Sequence, residues 1–447
     1  MTQGPRLFRQ RNFRLLWIGE TISVAGSSMA VVGVPLAAVT VLRASTFAVS
    51  ALTAAAYLPW LVIGLPAGAW VDRLPVRPLM IGCDVISALL YASLPVAAWL
   101  GGLSVGQLVA VALLAGTANV FFATAYQVAL PGLISAADLV AGNAQLQGGA
   151  SVATIAGRGL AGLAAQAFGA VPALAFNAAS FGVSAACLLR IRPALRMSPA
   201  LRMSPALPGP PAAGSPPARR AGGVRAETWR GICFVARDPY LRPLTSYAAI
   251  ANLAYTGNLA LVVVFLVRVV GLSSAAVGLL LATGGIGGLF GALAAPRLVR
   301  ACGTARALVL TTVGIGLSGL LIPLTERGPR LACYLAGSTL VAGGLVVANV
   351  IAASFRQDYC PPSMLGRVTA SMRFLAFGLI PLGALLAGAL GTALGVRDGL
   401  WIVLAIFAAS SLFLLTPRIR TARNLPHTPG IVSASACAGS PRRPGYR

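Results

Sequence analysis

The 447-residue chain contains no lysine, and all 34 of its basic residues are arginine. It has nine acidic residues and one histidine, His427, in a polar tail. A single histidine there can build neither a multi-histidine metal site nor a histidine proton relay inside an apolar fold. No lysine follows the glycine-rich faces, such as Gly284, Gly285, Gly287, Gly288 and Gly291. A phosphate-binding P-loop is therefore ruled out, and close helix packing is the better reading of those faces. Without a nucleotide motif or a soluble domain, an ATP-driven pump within this chain is excluded. A membrane-embedded enzyme would need a His-rich or Ser/His/Asp constellation, and none is present. The seven cysteines, Cys83, Cys187, Cys233, Cys302, Cys333, Cys360 and Cys437, are scattered without ligand spacing. Disulfides are not expected of them, and neither a metal nor a cofactor is implied.

Segments of alternating polarity about 10 residues long, the mark of a transmembrane β-barrel, are missing as well. Apolar residues dominate instead: 57% of the chain is hydrophobic and 10% charged. Twelve stretches approach or exceed the roughly 20 apolar residues that cross a bilayer as helix. They lie near 13–42, 47–70, 78–100, 104–127, 146–168 and 170–190, then 243–268, 275–299, 305–324, 331–355, 368–394 and 398–415. In hydrocarbon each must satisfy its own backbone hydrogen bonds, so helices are expected. The predicted fold class is an all-α polytopic membrane protein of twelve transmembrane helices in two six-helix bundles. The first apolar run exceeds a signal-peptide core and lacks a small-residue cleavage site, so it is expected to stay as an anchor.

The arginines orient the spans. With the N-terminus inside, 28 arginines fall on the cytoplasmic side and five outside: Arg43, Arg268, Arg327, Arg330 and Arg397. Arg158 lies within a span. Basic residues are retained on the cytoplasmic side, so both termini are expected there, in a multi-pass plasma-membrane protein. The net charge of +25 then reflects topology and anionic headgroups rather than nucleic acid. A monomer in the lipid bilayer is expected.

The expected divisions are a bundle at 1–190, a linker at 191–242, a second bundle at 243–415 and a disordered tail at 416–447. The linker carries Pro-Ala-Leu-Arg-Met-Ser twice, at 193–198 and 199–204, with further proline runs. It cannot bury a core and reads as disordered as far as about Arg225. Residues 226–238 read as a short helix along the inner membrane surface, with Trp229, Ile232 and Ala236 on one face. The halves repeat each other. Gly64, Gly68 and Asp72 match the spacing of Gly287, Gly291 and Ala295, and Gln127 and Pro131 match Gln357 and Pro361. A parallel repeat of two six-helix halves is how many transporters place a central site between two rocking bodies.

The loop after span two reads Gly68-Ala-Trp-Val-Asp72-Arg73-Leu-Pro75-Val76-Arg77. Gly68 allows close helix approach. Asp72, at a helix end, can pair with arginines or cap a neighbouring helix. A cluster that forms in one conformation and breaks in another biases a two-state equilibrium. This loop resembles the signature of the major facilitator superfamily at Gly68, Asp72, Arg73 and Arg77. Pro75 and Val76 depart from that family's usual glycine and arginine. Asn12-Phe13-Arg14-Leu15-Leu16-Trp17, Leu130-Pro131-Gly132-Leu133 and Gly366-Arg367-Val368 look like its siderophore- and drug-exporting branch, the branch of enterobactin exporters. The resemblance implies export of hydrophobic or amphipathic small molecules, often driven by protons. Gly157-Arg158-Gly159-Leu160-Ala161-Gly162 resembles the antiporter signature of helix five, a motif of small residues in which Arg158 replaces a proline.

Ionisable groups in spans are functional candidates by default. Glu20 reads as a proton-handling carboxylate or as a rim carboxylate bound to water or arginine. Asp84 reads as a structural partner near Asp72 and Arg77, or as a coupling group. Three readings stay open for Arg158: a contact for an anionic substrate group, a partner for Glu20, or a drifted position whose side chain reaches water. Tyr247, Tyr255 and Asn258 share a face of span seven with Asn252 beside it; Ser23, Ser27, Ser28, Asn119, Thr124, Ser338, Thr339 and Asn349 add polar groups to spans one, four and ten. The resemblance implies that helices one, four, seven and ten line the cavity. The expected function is secondary transport, a proton-driven export of a small organic molecule and not an enzymatic activity. Metabolite uptake and a transporter-derived sensor or scaffold are the rivals.

Overall fold

The computed structural model describes residues 7–71, 73–133, 139–191, 233–360, 368, 371–372 and 375–426. All regular structure among them is helical. Twelve long helices follow in order: α1 Arg11–Thr40, α2 Thr46–Val71, α3 Val76–Trp99, α4 Val105–Leu133, α5 Leu139–Phe168, α6 Leu174–Arg190, α7 Leu241–Val264, α8 Ser274–Cys302, α9 Thr304–Gly319, α10 Leu331–Tyr359, α11 Ile380–Ala393 and α12 Val396–Ser410. A one-turn α13, Pro417–Arg420, ends the set. Ten of the spans are long and apolar enough to cross a membrane. Apolar α6 is shorter, at 17 residues, and α5 is diluted by Asn143, Gln145, Gln147, Arg158 and Gln166. The chain is a multi-pass membrane protein.

Apolar residues on every face suit helices to hydrocarbon. Hydroxyls without water bond back to the preceding turn, as Thr40 Oγ1 does to the Leu36 carbonyl at 2.7 Å and Thr245 to Leu241 at 2.7 Å. Internal prolines at 35, 59, 66, 95 and 296 are absorbed within continuous helices, as neighbouring helices allow in membranes. Span eleven differs. Its helix is interrupted at Leu379 and restarts with Pro381 in the first turn of α11, where the missing N–H costs no intrahelical bond.

The two halves pack alike. In the first, α1 contacts α5 and α6, α3 contacts α4 and α6, and α2 contacts α4. In the second, α7 contacts α11 and α12, α9 contacts α10 and α12, and α8 contacts α10. Adding six to each helix number converts one list into the other. The halves meet mainly along two seams, α5 with α8 and α2 with α11, which the same operation exchanges. This is the pseudo-two-fold arrangement of two six-helix bundles.

Glycine makes these contacts possible. A Cβ on Gly287 or Gly291 of α8 would overlap the carbonyl of Thr339 or Gly343 on α10, and one on Gly116 would overlap Ala56 in the matching α2–α4 pair. Gly287 and Gly291 thus mark a helix crossing, whereas a Cβ on Gly64, their counterpart in the repeat, would meet only Trp60 at 3.7 Å.

The seams are tightest toward the face remote from the start of α1, here the far face. There Gly162 meets Ser274 and Gly278, Gly388 meets Ser50, and Gly391 meets Thr46. Two hydrogen bonds cross between halves on the same side: Arg268 Nη2 to the Ala44 carbonyl at 2.5 Å, and the Ala275 N–H to Gln166 Oε1 at 3.1 Å. Arg268 lies in a π-helical turn, Phe265–Val269, that extends α7. Three further far-face arginines are also tied. Arg327 donates to the carbonyls of Val270 and Gly271. Arg330 and Arg397 pair with Glu326 at 2.6 and 3.4 Å. Hydrogen bonding from Arg330, then its charge and those of Arg397, hold the Glu326 carboxyl below its ordinary range.

At the near face, Asp238 is fully buried. Its Oδ1 accepts from the N–H groups of Tyr240 and Leu241 at 2.9 and 2.8 Å, and its Oδ2 accepts from Tyr359 Oη at 2.8 Å. It thereby caps α7 and ties it to α10. Of the expected surface helix, 233–237 is helical, with Phe234 and Val235 buried in the main core; 226–232 and the repeated linker lie outside the described residues. Residues 417–426, expected to begin a disordered tail, pack on α9 instead. Ile419 and Leu425 are buried, Asn424 Oδ1 accepts from the Thr304 N–H at 3.1 Å, and the Leu425 N–H donates to Thr304 Oγ1 at 2.8 Å.

Candidate substrate and coupling site

Two polar cavities flank the seam, one per half. The first, about 310 Å³, is lined from α1, α2, α3, α4 and α6. Glu20 and Asp84 both line it, with Ser23, Ser27, Ser28, Ser87 and Asn119, and with the rings of Tyr57, Trp60, Tyr91, Phe122 and Phe181. Glu20 lies about 13 Å along α1 at 1.5 Å per residue. Asp84 is 2% exposed and accepts a hydrogen bond from Ser184 of α6. One carboxylate oxygen on each acid, Glu20 Oε2 and Asp84 Oδ2, is buried without a hydrogen-bond partner. Among the described residues no basic side chain lines the cavity. Two ionised carboxylates lining one cavity repel each other.

Asp84 does not pair with Arg77. Arg77 donates from Nε to the Leu188 carbonyl at 3.0 Å and from Nη2 to Leu189 at 2.7 Å, closing the C-terminal end of α6. That is where a cation is favoured by the helix dipole. Arg73 is exposed. Gly68 lies in the last turn of α2, and Asp72 lies outside the described residues.

The second cavity, about 200 Å³, is lined by α7, α9 and α10 with Met372 and Leu414. Tyr247, Asn252 and Tyr255 line it together with Asn349 and Arg356. Tyr247 is 8% exposed with its hydroxyl unpartnered. Asn252 Nδ2 donates to the Ala248 carbonyl at 2.9 Å. Asn258 is not among the lining residues; it is buried against neighbouring helices with Oδ1 unpaired. Among the described residues no carboxylate lines this cavity.

Arg158 sits between the two. It does not pair with Glu20: among the described residues no carboxylate lies within 4.0 Å of it, and its Nε is buried without an acceptor. Its charge reaches Tyr57 of α2 and Tyr334 of α10, which also feel Tyr255 of α7. The glycines around it wedge α5 between bundles: Gly157 faces Ala25 and Ser28 on α1, while Gly159 and Gly162 face α8. Sequence reasoning missed Tyr57, Trp60 and Tyr334, because a lone aromatic in an apolar run reads as core or lipid-facing. Among the described residues no group of three or more His, Cys, Asp or Glu side chains comes together.

The family model of the Major Facilitator Superfamily matches residues 16–381. An uncharacterised transporter of this type, y4rN of Sinorhizobium fredii, is 27% identical over 376 residues, 81% of this chain and 85% of the relative. The multidrug efflux pump Tap of Mycolicibacterium fortuitum is 27% identical over 381 residues, 82% of this chain and 84% of its own length. The solved nucleoside transporter NupG superposes with a TM-score of 0.67 at 15% identity, covering 90% of this chain and 97% of that one. Twelve helices in two matching halves, polar cavities flanking the seam and a family match over most of the length agree: the chain belongs to the major facilitator superfamily of membrane transporters.

Proposed function

We propose that the protein is a proton-driven exporter of small organic molecules, working by alternating access in the plasma membrane with both termini cytoplasmic. The carrying observation is the pair Glu20 and Asp84. They are two partly orphaned carboxylates in one aromatic-lined cavity with no counter-charge among the described residues. Such a pair loads a proton when it faces acid and releases one when the cavity opens to neutral water. The likeness to an efflux pump over most of both chains supports the outward direction. The far face is closed by the Arg268 and Gln166 hydrogen bonds; with the near face cytoplasmic, this is the state that collects substrate from inside. Gly68, Asp72, Arg73 and Arg77 belong to the near-face gate, and the protein works as a monomer.

The test uses everted vesicles in which a pH gradient, acid inside, is reported by an acridine dye. A transported compound should discharge the gradient in wild type. Glu20→Gln and Asp84→Asn should abolish the discharge while leaving protein in the membrane. Discharge at the wild-type rate in both variants would remove these carboxylates from coupling.

A further inference from the structure

The lining charges are segregated. Of the two cavities flanking the seam, the described lining of the first carries Glu20 and Asp84 and that of the second carries Arg356, with Arg158 between them. Arg158 carries a buried Nε with no acceptor, and no carboxylate of the described residues is within 4.0 Å. A guanidinium inside a span is costly unless something pairs with it. It faces α8 where α8 has glycine: an added Cβ on Gly284 would lie 4.0 Å from Nη1. The phenols of Tyr57 and Tyr334, on two further helices, lie within electrostatic reach of it, and both also feel Tyr255 of α7. Tyr57 opens on the first cavity and Tyr255 on the second. A planar fork of N–H donors flanked by phenolic O–H donors is complementary to a carboxylate or sulfonate.

We propose that Arg158 docks the anionic group of a small aromatic or aliphatic organic anion, whose apolar body enters the second cavity beside Tyr247, Leu345 and Met372. The inference rests on the exporter reading and assigns its substrate class. The cavity of about 200 Å³ is smaller than the roughly 300–1,000 Å³ typical of drug-sized sites, so bodies of one or two rings fit best. The acid-free lining accepts an anion without repulsion. Glu20 and Asp84, on the other side of the seam, are left for protons.

The purified full-length protein in detergent is challenged with benzoate, 1-naphthoate and 2-naphthalenesulfonate, and with benzylammonium and 1-naphthylmethylammonium as matched cations. Thermal unfolding is the readout. Naphthoate or naphthalenesulfonate should raise the apparent Tm at saturation, and the cations should not. Arg158→Ala should weaken anion binding at least tenfold, whereas Arg158→Lys, which keeps the charge and loses the fork, should keep an intermediate affinity. Without ligand, Arg158→Ala should unfold at the wild-type temperature or a few degrees above it, because an intramembrane charge with no carboxylate partner among the described residues has been removed. The proposal is overturned if no anion stabilises the protein, if the cations do so instead, if Arg158→Ala binds anions undiminished, or if ligand-free Arg158→Ala melts well below wild type. Gradient discharge in vesicles is measured on the same variants. Intact proton-driven export without anion binding discards the anion site alone; anion binding without export discards the exporter reading.

Discussion

Most of the chemistry rests on a few polar side chains, and they were unevenly legible in the sequence. Glu20, Asp84 and Arg158 stand out in any linear reading because charge inside an apolar run is costly. Their partners do not, since pairing runs between helices. Glu20 and Asp84, 64 positions apart, line one cavity. Arg77 holds the end of α6, and Asp72, its expected gate partner, lies outside the described residues. Arg77→Ala should lower stability by about 1–3 kcal/mol, the usual scale for charged hydrogen bonds; thermal melting in detergent checks it. Asp238 was overlooked, although an Asp-Pro just ahead of an apolar run is a familiar helix-start signal. Tyr359→Phe leaves Asp238 Oδ2 without its 2.8 Å donor and should cost about 1–3 kcal/mol; an unchanged Tm would show that water replaces the phenol freely. Acid should not release the Glu326 latch early. With its carboxyl held below the ordinary range, the latch's contribution is present above the unfolded-state pKa. It fades only as pH falls through the lowered value, so a loss of export near neutral pH has its origin elsewhere.

At the scale of elements, the spans were readable because length and composition suffice: a helix needs about 20 apolar residues to cross. Ends were less so. Span eleven, expected over 368–394, is helical at 368, 371–372 and 375–378 but breaks at Leu379 before α11 restarts, because Pro381 fits a first turn. The segment 417–426 looked like tail because its few apolar residues, Ile419 and Leu425, show their purpose only against α9. The glycine pattern of α5 was visible, but not its division between partners. Gly162 touches Ser274 and Gly278, whereas the nearest atom to a Cβ at Gly159 is 3.8 Å away. Gly162→Val should therefore force α5 from α8 and cost about 1–3 kcal/mol or more, while Gly159→Ala should be tolerated. Equal melting temperatures for the two variants would contradict the packing.

At the scale of the molecule, the internal repeat in sequence matches the exchange symmetry of the contacts, α5–α8 with α2–α11. What no sequence displays is which face is closed, since that depends on hydrogen bonds such as Arg268 to Ala44. Losing that bond, at about 1.4 kcal/mol, shifts the two-state ratio roughly tenfold. Arg268→Ala should thus enlarge the far-open population. Electron–electron distances between nitroxides at Arg43→Cys and Leu394→Cys, in a background without native cysteines, report it.

Proton-driven export by the paired acids is tested most directly in proteoliposomes given a pH gradient and 1-naphthoate, comparing wild type with the Glu20→Gln, Asp84→Asn double variant. Wild type should accumulate naphthoate against its gradient while protons flow the other way, and the double variant should only equilibrate it. Uphill accumulation by the double variant at the wild-type rate, or wild-type transport indifferent to the pH gradient, would contradict the assignment.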